Sequence, residues 1–145
     1  MLRLLIPPFV HGTAAIGLLL FRIVIGGGFV LHSFRKLRRP TTWMQAEETP
    51  PDAPLVQFVA ALIELGSGAG YLLGLFSPLA AIGMLMTMTG AIIKVHIPDR
   101  NPLVAAPGRP SAESCIVYAA AAVLLLLVGP GVYSADYLWT SIMAR

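Results

Sequence analysis

Two opposite charges stand inside long apolar stretches, Arg22 within Thr13–Ser33 and Glu64 within Leu55–Phe76. A charge at the centre of a bilayer costs at least ~2.5–3.5 kcal/mol on insertion scales, so each must face protein and find a partner. The simplest expectation is an Arg22–Glu64 ion pair buried between two helices. The same two groups could do chemistry: a guanidinium gives fixed positive potential, and a carboxylate accepts protons.

Helical spacing extends this pair into a polar face. Arg22, Gly26, Phe29, Ser33 and Lys36 follow i, i+4, i+7, i+11, i+14, with His32 at the edge of the stripe. Gln57, Glu64, Gly68 and Tyr71 share a face of the second apolar stretch, whereas Gly66, Gly70 and Gly74 form a separate small-residue ridge suited to close helix approach. Gly83, Thr87, Gly90 and Lys94 form a stripe on the third stretch, ending near His96. If the stretches alternate in direction, His32, Lys36, Lys94, His96, Glu113 and Cys115 gather at one mouth, a polar funnel leading toward Arg22 and Glu64. Candidate catalytic groups are Arg22, Glu64, His32, His96 and Glu113. Candidate ligand contacts are Arg22, His32, Lys36, Glu64, Tyr71, Lys94 and His96.

Each of these residues also has a plainer explanation. Arg22 and Glu64 could only fix helix packing, His32 and His96 could be interfacial histidines, and Lys36 and Lys94 could snorkel to the headgroups. No metal site is expected, because no HxxE or HxxxH spacing supports the histidines and a single cysteine cannot build a thiolate cluster. Cys115 alone also excludes an intramolecular disulfide or a CxxC pair, and it reads as a small apolar residue.

The elements that must position these groups follow from hydropathy. The chain has 145 residues, 57% hydrophobic and 12% charged, and its mean hydropathy is +0.78. A hydrocarbon layer of ~30 Å needs about 20 apolar residues per helix. Four spans result, at about 13–33, 55–76, 79–96 and 114–128, forming an all-α four-helix bundle in one domain, 1–145. Ser77-Pro78 is so short a turn that the second and third spans must lie antiparallel as neighbours. The polar loop between the first two spans, broken by Pro50, Pro51 and Pro54, belongs outside the hydrocarbon. The start, Met1 to Pro8, reads as a retained surface tail, and Ser134 is a candidate N-cap for a short interfacial helix carrying Tyr137, Leu138, Trp139 and Ile142.

Charge sets orientation and excludes one partner. Arg35, Lys36, Arg38, Arg39, Arg100 and Arg109 collect on one side, against Arg3 and Arg145 on the other. By the positive-inside rule, loops one and three face the cytoplasm and both termini lie outside, in a bacterial-type inner membrane. The net charge of +3 and pI near 9.4 are therefore topology signals and not a nucleic-acid surface.

The order and spacing of several segments resemble the DoxX family of small four-helix membrane proteins: Phe21-Arg22-Ile23-Val24-Ile25-Gly26 with Phe29, His32 and Lys36-Leu37; Glu64-Leu65-Gly66; His96-Ile97-Pro98; Glu113; and Gly129-Pro130-Gly131 with Ser134-Ala135-Asp136. Ser33 departs from the glycine often found there, and loop one is long. The resemblance implies a link to the membrane subunits of thiosulfate:quinone oxidoreductase and to membrane redox or sulfur-stress systems. One expectation is a redox-associated membrane subunit whose funnel takes a quinone headgroup or a small oxyanion. Electrons would have to pass through the quinone or a partner, since the sequence shows no flavin, haem or iron–sulfur motif. The alternative is a noncatalytic accessory subunit that packs through its glycine ridges against other membrane subunits or copies of itself. A small-solute transporter is a weaker third reading, lacking an inverted pair of broken helices.

Overall fold

The computed structural model describes residues 9–46, 52–105 and 107–143. Met1 to Pro8, Pro50, Pro51 and Arg145 fall outside them, so the surface-tail reading of the start and the charges at both termini lie beyond what the structure describes. The main elements among those residues are helices: α1 (Gly12–Leu37), α2 (Pro54–Leu73), α3 (Ser77–Ala91), α4 (Glu113–Val128) and α5 (Ala135–Met143). The helices of the expected bundle are all present. Three stretches, Gly12–Leu37, Pro54–Leu73 and Ser77–His96, are long and apolar enough to cross a membrane. α4 has 16 residues, roughly 24 Å, and is short of a full hydrocarbon thickness.

Local chemistry sets the boundaries. α1 ends beyond the expected Ser33, with Arg35 and Lys36 in its last turn, where cations complement the negative end of the helix dipole. Pro54 opens α2, where its missing N–H costs nothing, and Gly74 closes it in the left-handed conformation at φ 63°. α3 runs into a π-helical turn, Ile92–His96, that delivers His96 to the loop-three end. Gly129-Pro130-Gly131 stops α4, and the Ser134 hydroxyl accepts from Tyr137 N at 3.2 Å, the cap expected for α5.

Consecutive helices pack antiparallel, α1 on α2, α2 on α3 and α3 on α4, while α1 and α4 touch little. The core between them holds Phe29, Tyr71, Met84, Met88, Ala122 and Leu125. The α1–α2 register is fixed where the two backbones meet. A Cβ on Gly26 would lie 2.7 Å from Leu72 N, so only glycine allows this approach. Gly68 likewise faces Val30. Arg22 therefore sits beside the C-terminus of α2, and Glu64 sits beside the last turns of α1. The exposed surface is strongly apolar, including Leu20, Val24, Leu31, Leu79 and Leu127, as expected of helices that face lipid. Leu138, Trp139 and Ile142 on α5 add an exposed apolar face at the opposite end from loops one and three.

Candidate functional site

The expected Arg22–Glu64 ion pair does not form. Both side chains are buried, at 1% and 2% exposure, but they serve opposite ends of the bundle. Glu64 lies seven residues before Tyr71 on α2, roughly 11 Å along the axis from the carbonyls that hold Arg22. Counting from the start of each span placed both charges at mid-depth. The glycine contacts between α1 and α2 shift the helices so that those depths no longer coincide.

Arg22 is enclosed by backbone. Its Nε donates to Tyr71 O at 3.1 Å and Nη2 to Leu72 O at 3.0 Å, both among the last carbonyls of α2. Nη1 donates to Pro130 O at 2.7 Å and Tyr133 O at 3.0 Å in the segment after α4. A guanidinium at a helix C-terminus is favoured by the dipole, and here it reinforces Tyr71 O, which also accepts from Gly74 N at 3.3 Å. Asp136, the first acidic residue of α5, does the converse for α3: Oδ1 accepts from Phe76 N at 2.7 Å, and Oδ2 accepts from Ser77 N at 2.8 Å and Ser77 Oγ at 2.6 Å. Phe76 has a left-handed backbone at φ 47°, which this grip on its N–H helps to hold. The α2–α3 turn is thus clamped by a cation on one side and an anion on the other. Tyr71, a candidate ligand contact, is fully buried and donates its hydroxyl to Ala121 O at 2.9 Å. Arg22 and Tyr71 are therefore buried and engaged in the scaffold at this end. The Gly66-Gly70-Gly74 ridge is also largely consumed inside the chain, with Gly70 against Ala80 and Gly74 against Arg22 and Ser134.

The other end carries the remaining candidates. Lys36 Nζ donates to Glu64 Oε2 at 2.6 Å and stands 4.3 Å from the centre of the Trp43 ring. His32 Nε2 lies 3.7 Å from Glu64 Oε1, an oxygen with no hydrogen-bond partner among the described residues. The histidine is half exposed, so it connects a buried carboxylate to the outside of the bundle. What it faces is an open cleft of about 520 Å³ between α1 and α4. Gly28, Leu31 and Tyr118 line it toward the middle of the bundle, and Phe34, Arg35 and Arg38 line it toward the end of α1.

Loop one closes the bundle end next to Glu64. Trp43 Nε1 donates to Gln57 O at 3.1 Å, Met44 N donates to Gln57 Oε1 at 3.2 Å, and Gln57 Nε2 donates to Asp52 O at 2.7 Å. Lys94 Nζ binds both oxygens of Asp52, at 2.8 and 2.6 Å, and so fastens loop one to the end of α3. His96 is held separately. Its Nδ1 lies 3.3 Å from Asn101 Nδ2, and its Nε2 lies 3.5 Å from Cys115 Sγ. Glu113 is exposed and accepts from Ala105 N at 2.9 Å, fixing loop three. The structure thus brings His32, Lys36 and Glu64 into one cluster and places Lys94, His96 and Glu113 in separate loop contacts at the same end. Among the described residues no group of three potential metal ligands occurs.

Sequence reasoning missed Asp136, Trp43, Gln57 and Tyr118 as partners, and treated Arg35 and Arg38 only as topology signals. One pattern could have exposed the cleft: Gly28, His32, Arg35 and Arg38 share a helix face one step around from the buried stripe. The sequence model of the DoxX family matches residues 17–97, more than half of the chain, including Arg22, His32, Lys36, Glu64 and His96. No curated protein and no solved structure matches it.

Proposed function

The chain belongs to the DoxX family of membrane proteins, and we propose that it acts as a redox-associated membrane subunit whose α1–α4 cleft receives a quinone headgroup beside His32. The observation that carries this reading is the buried Oε1 of Glu64, without a hydrogen-bond partner among the described residues and 3.7 Å from a half-exposed imidazole that opens onto the cleft. A bound quinone supplies two-electron, two-proton carbonyl chemistry, with electrons from a reductant on a partner subunit.

The chain's own residues handle the proton. The His32 imidazole, half exposed at the cleft, can donate a hydrogen bond to a ligand oxygen there. Glu64 holds the imidazole from behind through Oε1, and the half-exposed ring regains its proton from its open side. Lys36 Nζ pairs with the other oxygen of Glu64 at 2.6 Å and so fixes the carboxylate beside the imidazole. Trp43 of loop one lies over the Lys36 ammonium on one side of Glu64, and half-exposed His32 stands on the other. Tyr118 adds a hydroxyl, close enough to Gly28 that a Cβ there would lie 2.8 Å from it.

A short-tailed quinone titrated into purified protein in detergent tests the reading. Binding stabilises the fold by RT ln(1 + [L]/Kd), about 2.7 kcal/mol at 100 Kd, which is easily read as a thermal shift. The shift should vanish in His32→Leu and shrink in Glu64→Gln while both variants remain folded. No shift in the wild type sinks this reading. The second reading, a noncatalytic accessory subunit, is favoured by Arg22, Tyr71 and Asp136, whose polar groups are consumed within the scaffold. Retained assembly and retained activity of a partner complex carrying His32→Leu would select it.

A further inference from the structure

We propose that the outer end of the α1–α4 cleft binds the phosphate of an anionic phospholipid, held by Arg35 and Arg38, in the leaflet on the loop-one side. Gly28, Leu31, Arg35 and Arg38 follow i, i+3, i+7, i+10 along α1 and all line the cleft. They span roughly 15 Å along the helix axis, from the apolar middle of the span to its end. The groove is therefore graded like a lipid, with glycine and leucine where acyl chains run and guanidinium groups where the headgroup lies. Leu31 and Phe34 are 71% and 56% exposed, so chains can lie against them without displacing protein.

The charges match the occupant. Two arginines three residues apart on a helix have neighbouring side chains, and each guanidinium offers a planar fork that fits phosphate oxygens. Among the described residues neither Arg35 nor Arg38 has an ion-pair partner, whereas Lys36 and Lys94 are both paired. Snorkelling and the α1 dipole explain a positive helix end in general. They do not explain why two of its arginines line a concave cleft while Arg39, on the same end, lies outside it. A free phosphate fits the arginines but leaves the apolar lower half unused. A zwitterionic lipid brings a competing cation beside the same phosphate. The acyl chains would share the cleft beside His32 with the proposed quinone, so the arginine variants, which leave His32 in place, separate the two ligands.

Native mass spectrometry of the full chain, released from detergent with added lipid, tests this directly. Phosphatidylglycerol should be retained as one molecule per chain at least tenfold better than phosphatidylcholine with the same acyl chains. The double variant Arg35→Gln, Arg38→Gln should lose about tenfold of that retention, while Arg39→Gln should stay within twofold of wild type. If the double variant fails to fold, Arg38→Gln alone, an exposed side chain just past α1, should lose several-fold. Equal loss in Arg39→Gln would replace the cleft by a diffuse basic collar and overturn the proposal. Equal retention of phosphatidylcholine, or displacement by glycerol phosphate at the same concentration as by the intact lipid, would overturn it as well.

Discussion

Replacing Arg22 by methionine removes a side chain that is 1% exposed and makes four hydrogen bonds to carbonyls of α2 and the segment after α4. Hydrogen bonds to a charged group contribute about 1.5–3 kcal/mol each, and a carbonyl left buried without a partner costs about 1–3 kcal/mol. Methionine fills part of the volume, and the carbonyls recover some bonding by relaxation. The charge itself no longer has to be buried, which returns part of the desolvation cost. A net loss of at least about 4 kcal/mol is expected, a large fraction of the 5–15 kcal/mol typical of a whole domain. Arg22→Lys, with one nitrogen to place among four carbonyls, should lose about half as much. Equilibrium unfolding in mixed micelles of increasing denaturing detergent, followed by circular dichroism, gives these differences. The sharper reading is the double variant with Glu64→Leu. Because Arg22 and Glu64 sit in separate networks roughly 11 Å apart along α2, their losses should add to within about 0.5 kcal/mol. An Arg22→Met variant within 1 kcal/mol of wild type, or a strong coupling to Glu64, would refute the assignment of Arg22 to the α2 terminus.

Two further outcomes follow from the same contacts. Asp136→Asn keeps one acceptor where the carboxylate offers two, so the α2–α3 turn should loosen by about 3 kcal/mol, seen as faster amide exchange at Phe76 and Ser77 than in the helix interiors. Gly26→Ala forces a methyl to within 2.7–2.9 Å of Leu72 and should cost about 1–3 kcal/mol by overpacking, measured in the same micelle titration.

The spans were legible because lipid selects on summed hydropathy, and α2 and α4 start within a residue of their expected positions. The inward stripe of α1 was legible as well: Arg22, Gly26, Phe29 and Ser33 are all buried. The partner of Arg22 was not, because its acceptors are backbone carbonyls and every residue has one. Glu64 was correctly placed inside, yet its partner proved to be Lys36, a residue equally able to snorkel. The choice between them rests on the axial offset of α1 and α2, which Gly26 and Gly68 set through contacts invisible to periodicity. Asp136 escaped notice as a charged group because only tertiary structure brings α5 back to the α2–α3 turn.

The acceptors of Arg22 lie 49 and 50 residues downstream in α2, and 108 and 111 residues downstream beyond α4. During synthesis the guanidinium therefore enters the bilayer long before its last two acceptors leave the ribosome. Until then, water, lipid phosphate or the insertion machinery must shield the nascent hairpin. Completion of the C-terminal segment is what locks the first helix in place, so premature termination near residue 129 would release a chain whose earliest membrane segment is the least settled.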